Sequence, residues 1–99
     1  MSKNIQTGLS DTAIAQRNEG FEIRQTPCCT NLYNDDNQPI LALNMSSALI
    51  WENCNGDLTI RDMINQFHQA FDEVPYEDLE RDVMTVIQKF QEEKVISLR

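Results

Sequence analysis

Positive charge is scarce in this chain. Eight Lys and Arg stand against sixteen Asp and Glu, for a net charge of −8. Such a surface repels phosphate backbones and anionic lipid, so nucleic acid and membrane partners are disfavoured. Glycine is also sparse, with three in 99 residues. That leaves no glycine-rich loop to cradle a phosphate. No apolar run is long enough to span a bilayer. The opening stretch, MSKNIQTGLSDTAIAQRN, lacks the apolar core and small-residue cleavage site of a secretory signal. With no export signal, Cys28, Cys29 and Cys54 are expected as reduced thiols in the cytoplasm.

Little reactive chemistry is on offer. Cys28, Cys29, Cys54 and His68 match no common zinc spacing, and an adjacent Cys pair makes awkward tetrahedral geometry. A disulfide between chain neighbours would be strained. A Cys–His68 dyad exists by composition only, with no oxyanion hole or orienting third group in the pattern. Cys54 reads better as a small buried residue closing a helix, and Trp51 as the large core anchor of a small domain. The chain is therefore expected to be no enzyme, and to need no cofactor and no metal.

What is present is a regular alternation of elements. The length suits one domain with a small core. Residues 1–18 are polar and weakly patterned, and read as a flexible N-terminal arm whose Ile5, Leu9 and Ile14 are free to dock. The domain proper is expected over 19–99. Phe21, Ile23 and Gln25 alternate with Glu22, Arg24 and Thr26, the period of a strand. Cys29 to Asn34 gives a second strand rich in β-formers. The Asp35-Asp36-Asn37-Gln38 stretch makes a turn. Pro39 opens a third strand that ends at Leu43. A sheet this small needs a helical layer to be stable.

Helices follow. Asn44 is a good N-cap for a helix over about Met45 to Asn55, closed by a left-handed Gly56. Thr59-Ile60-Arg61-Asp62 has capping-box spacing, with Asp for the preferred Glu. Ile60, Met63, Ile64, Phe67 and Phe71 then recur three and four apart, one face of a second helix. Pro75 suits the first turn of a third helix, whose acidic N-terminal half matches the helix dipole. Leu79, Val83, Val86, Ile87 and Phe90 form its apolar stripe. Val95 to Leu98 is an apolar tail able to pack back on the sheet. The expected fold class is α+β: a small three-stranded antiparallel sheet followed by three helices, the inventory of a winged helix-turn-helix.

Leu43-Asn44, Ala48, Ile50-Trp51, Cys54-Asn55-Gly56, Thr59 and Ile64 occur in an order that resembles the PqqD family. These are the proteins similar to pyrroloquinoline quinone synthesis protein D. Asp82-Val83 and Val95-Ile96 extend the likeness, which covers about Phe21 to Ile96. Asn55 stands where the family usually has Asp, and the N-terminal arm has no counterpart in the pattern. The resemblance implies a peptide-recognition domain without catalysis. Such domains bind the leader segment of a ribosomally made precursor peptide and present it to a modifying enzyme, often a radical S-adenosylmethionine enzyme. The leader adds as an extra strand beside the third strand, in a cleft shared with the third helix.

Carried onto this chain, Ile40, Leu41, Ala42 and Leu43 offer the strand edge. Asp82, Val83, Val86 and Phe90 line or floor the groove. A free edge recruits a strand by main-chain bonds, so the mode is physically sound. The same edge also permits pairing with a second copy. Two other readings fit the inventory. One is a winged-helix DNA-binding regulator, though the second helix carries only Arg61 as a full positive charge. The other is an adaptor that docks on an enzyme without touching peptide.

Overall fold

Two three-stranded antiparallel sheets and three helices make up the computed structural model, which describes residues 11–27 and 29–99. In chain order the elements are β1 (Ile14–Arg17), β2 (Phe21–Gln25), β3 (Thr30–Asn34), β4 (Pro39–Leu43), α1 (Met45–Asn53), β5 (Asn55–Thr59), α2 (Ile60–Ala70), α3 (Tyr76–Glu92) and β6 (Ile96–Leu98).

The first sheet, β2-β3-β4, is the one the alternation predicts. Leu32 on its central strand is sealed from solvent, with Phe21, Ile23, Ile40 and Leu41 packed around the core. The β3–β4 turn is held by Asn34, whose Oδ1 accepts from the backbone N–H of Asp36 and of Gln38, both at 2.9 Å. Asn37 takes the left-handed conformation, φ 63°, that its short amide side chain tolerates.

A second sheet, in the order β5-β1-β6, corrects the expected architecture of one sheet followed by helices. Its central strand comes from the stretch read as a flexible arm. Residues 14–17 pair on both sides, with Ala15 opposite Leu98 and Ile14 opposite Thr59. Ala15 is completely buried. Arg17 N–H donates to the Cys54 carbonyl at 2.9 Å, and Asn18 N–H to Val95 O at 2.9 Å. Of the side chains expected to dock, Ile14 lies in this strand, while Ile5 and Leu9 fall outside the described residues. The apolar tail at Val95 to Leu98 does pack back, as β6 on β1.

β5 also opens up the tight helix-turn-helix that the sequence suggests. α1 stops at Asn53, not Asn55, and Cys54 closes it by donating N–H to Trp51 O at 3.1 Å. Gly56 is left-handed as expected, with φ 84°, but it sits inside β5. A Cβ there would also meet the Gln16 side chain at 3.3 Å. The capping predictions match the geometry. Asn44 Oδ1 accepts from Ser47 N–H at 2.8 Å, and Ser47 Oγ accepts from Asn44 N–H at 2.9 Å. Thr59 and Asp62 form the second reciprocal box, at 3.0 and 3.3 Å. Pro75 sits one residue ahead of the first turn of α3, at its N-cap.

The core lies between the helices and both sheets. Trp51 meets Phe90 edge-on, ring centroids 5.8 Å apart and planes at 82°, the arrangement that aligns ring edge with π face. α1 has no basic residue in its last turn. Arg17 reaches over from β1 to supply one, donating to Glu52 O at 2.8 Å and to Trp51 O at 3.2 Å. Those carbonyls form the negative end of the helix dipole. β1 thus anchors α1 as well as the second sheet.

Candidate functional site

The candidate edge belongs to β4, the outer strand of its sheet, paired with β3 alone. Which of its groups face outward follows from the ladder. In an antiparallel pair, alternate residues turn both N–H and C=O toward the partner. Thr26 N–H donates to Cys29 O at 2.8 Å, so that pair is hydrogen-bonded. Counting along the register, Arg24 with Asn31 is bonded too, and Asn31 therefore turns toward β2. Thr30 and Leu32 then turn toward β4, where they face Leu43 and Leu41. Ala42 is left with its N–H and C=O groups aimed away from the sheet, whereas Ile40 stands in a β-bulge, where the register shifts between Leu32 and Tyr33 and the alternation breaks.

The free edge is short. At one end Pro39 has no N–H. At the other, Asn44 N–H is already spent on Ser47 Oγ. Ala42 is therefore the residue of β4 that offers an added strand both a donor and an acceptor. Ala42 is exposed and Ile40 half-buried, while Leu43 is 8% exposed and anchors the strand to the core.

The helix residues expected beside this edge separate into two kinds. Val83 and Phe90 are 2% and 1% exposed, so both are core side chains, and Phe90 is committed to Trp51. Val86 is half-buried at the margin of the core, and Asp82 is exposed. Asp82 and Val83 lie together on a groove of about 240 Å³ between the helices, bounded also by Ser46, Leu49, Phe67 and Phe71. No residue of β4 lines that groove. The structure brings Asp82 and Val83 together with the start of α1, and the strand edge stands as a separate feature that ends one residue before that helix begins. The groove itself was not legible in the sequence. Phe71, 41% exposed and one of its walls, closes the predicted apolar stripe of α2 and reads there as core.

The other chemical candidates are accounted for locally. Cys54 is fully buried and its thiol donates to Ile50 O at 3.1 Å. Burial pushes that thiol up from 9.0 to about 12, and the nearby Arg17 charge offsets only part of the effect. The neutral thiol is thus the form the fold favours. Stability is fully present below pH 9.0 and is lost as pH rises toward about 12, with a slope of at most about 1.4 kcal/mol per pH unit. Urea midpoints followed through that range will fall more steeply for the wild type than for Cys54→Ala. Equal slopes would show that the thiol titrates normally.

His68 stacks edge-on to Tyr76, centroids 5.5 Å apart. Among the described residues, no three His, Cys, Asp or Glu gather in a way that could hold a metal ion. Arg61, the full positive charge of α2, is paired with Asp11. No helix among the described residues is long and apolar enough to cross a membrane.

Fold and edge together define a small α+β domain with an open strand edge and a separate groove between its helices. Residues 29–96 match the family model described as Coenzyme PQQ synthesis protein D (PqqD), and the chain belongs to that family. No curated protein and no solved structure matches it. The matched region begins just ahead of β3, so the open edge and all three helices fall inside it, and β1 and β2 precede it. Membership points to a role in the biosynthesis of pyrroloquinoline quinone or of another ribosomally made, modified peptide.

Proposed function

We propose that this chain binds the leader segment of a ribosomally synthesised precursor peptide by strand addition to β4. It then presents the peptide to a modifying enzyme, for which a radical S-adenosylmethionine enzyme is the class suggested by the family likeness. The observation that carries this reading is the outward N–H and C=O of Ala42 on a strand paired on one side alone. A peptide strand laid there completes both hydrogen bonds. Leu41 and Leu43 hold the edge strand in place from its other side. The α1–α3 groove takes an apolar side chain of the leader as it runs past Ser46, and Asp82 on its rim suits a leader Lys or Arg. Val86 extends that wall, and Val83 and Phe90 act from beneath as its floor. In this reading the α1–β5–α2 unit is a helix-turn-helix whose turn is drawn out into a strand, with the β3–β4 hairpin as the wing. The domain has no catalysis of its own.

The test is a titration of precursor leaders encoded near this gene, followed by amide chemical shifts. The expected result is shifts concentrated at Ile40, Ala42, Asp82 and Val86. If no leader moves these signals even at millimolar concentration, the reading fails.

A further inference from the structure

α1 turns Met45 to solvent beside Ser46 and Glu52, so its outer side is not the uniformly polar face of an ordinary surface helix. Ser47, Ile50 and Trp51, continued by Cys54, form the stripe buried in the core. Met45, Ala48, Leu49 and Glu52 repeat the same spacing, and Met45 lies about 200° around the helix from Ser47. Met45 is 82% exposed, the most exposed large apolar side chain among the described residues. Between this outer face and the first sheet lies a groove of about 320 Å³, walled on the sheet side by Ile23 and Thr30. It carries no Lys or Arg, and Glu52 is its one charged residue. The Glu52 carboxylate makes no ion pair among the described residues. A groove with an apolar helix wall, Gln25 and Thr30 on its sheet side and one carboxylate without an ion pair, on a chain of net charge −8, is complementary to an apolar side chain adjoining a cation. Met is suited to such contacts because its unbranched thioether adapts to its partner's shape.

We infer that this outer face of α1 is a second docking surface, which receives a protein segment carrying an apolar side chain next to Lys or Arg. No β4 residue lines it, so it stays open while a peptide occupies the strand edge. Leu49 is the shared wall between this groove and the one at Asp82. One helix therefore separates the two sites. The inference rests on the reading above for the partner's identity, the modifying enzyme, and on the groove for the partner's chemistry.

Two short synthetic peptides test it, both with a Leu-Phe centre, one bracketed by Lys and the other by Glu. Each is titrated at low salt into the isotope-labelled full chain. The Lys-bracketed peptide will shift Ile23, Met45, Ala48 and Glu52 and leave Ile40 and Ala42 in place. Glu52→Lys will shrink its advantage over the Glu-bracketed peptide by up to about fivefold, the upper range of one exposed charge pair. Met45→Asp will weaken both peptides and leave leader titration unchanged. Three results overturn the inference: shifts at the β4 edge instead, equal binding of the two peptides, or a dimer in sedimentation that Met45→Asp dissolves, since a second copy would then cover the face. A leader that fails to bind the wild type counts against the strand-addition reading alone, because the synthetic peptides are scored separately.

Discussion

Replacing Phe90 with alanine will lower the unfolding free energy by about 3–5 kcal/mol. Phe90 is 1% exposed and stands where α3 crosses Trp51 on α1. Its own carbonyl also accepts the Val95 N–H at 3.0 Å, which turns the chain from α3 into β6. Truncation leaves a void against a rigid indole that cannot collapse to fill it. The cost is the transfer energy of the ring plus the cavity left behind. A domain of this size has only about 5–15 kcal/mol in total, so the variant will sit near its unfolding threshold. Trp51 is the only tryptophan and is buried, so its fluorescence reports the transition. The urea midpoint should fall at unchanged slope. A loss below about 1 kcal/mol would mean that the ring is not the sealed anchor described here.

Proline at Ala42 will leave the domain folded and weaken leader binding by at least about tenfold, or ~1.4 kcal/mol. The Ala42 N–H lies on the outer side of β4, where it bonds nothing in the sheet. Proline there deletes a donor that only an added strand would use. It also sets a ring in the path of the incoming backbone. The control is one residue away. Leu41 faces Leu32 across the bonded side, so Leu41→Pro should break the sheet itself. Calorimetric affinity alongside thermal melts separates the two effects. A folded Ala42→Pro protein with wild-type affinity would show that the peptide docks elsewhere. Two main-chain bonds are worth only about 1–3 kcal/mol before the cost of ordering the peptide. Measurable affinity therefore needs the groove at Asp82 as well.

The first sheet, the three helices, the Asn44 cap and the Thr59 capping box were legible because each is a local pattern, and the reciprocal bond from Ser47 to Asn44 was added by the structure. Phe21 and Ile23 alternate, and Asn44 and Thr59 lie three residues before their capping partners. The second sheet was not legible. Ile14–Arg17 is four residues long with one buried side chain, Ala15, and its partners Asn55–Thr59 and Ile96–Leu98 are far away in sequence. Asn55–Thr59 reads as a turn because of its Asn-Gly pair, and it becomes a strand only by pairing with β1. For the candidate site, the sequence located β4 and could not say which of its residues face outward, since that depends on the β2–β3 register. The resemblance implied that Val83 and Phe90 line or floor the groove. Helical spacing is the same for a lining residue and a core one; both are buried, and Val83 also borders the groove between the helices.

The brevity of the open edge has a consequence of its own. Unpaired strands are where proteins stick to copies of themselves, and long flat ones template fibrils. Here a residue without an N–H closes one end of the edge and a capping box closes the other. The window that remains is too short for the six- or seven-residue stacking that aggregation requires. The chain can thus keep a strand unpaired at its surface without offering the length that fibril stacking needs. Sterile toward long identical neighbours, the edge remains usable by a brief visitor.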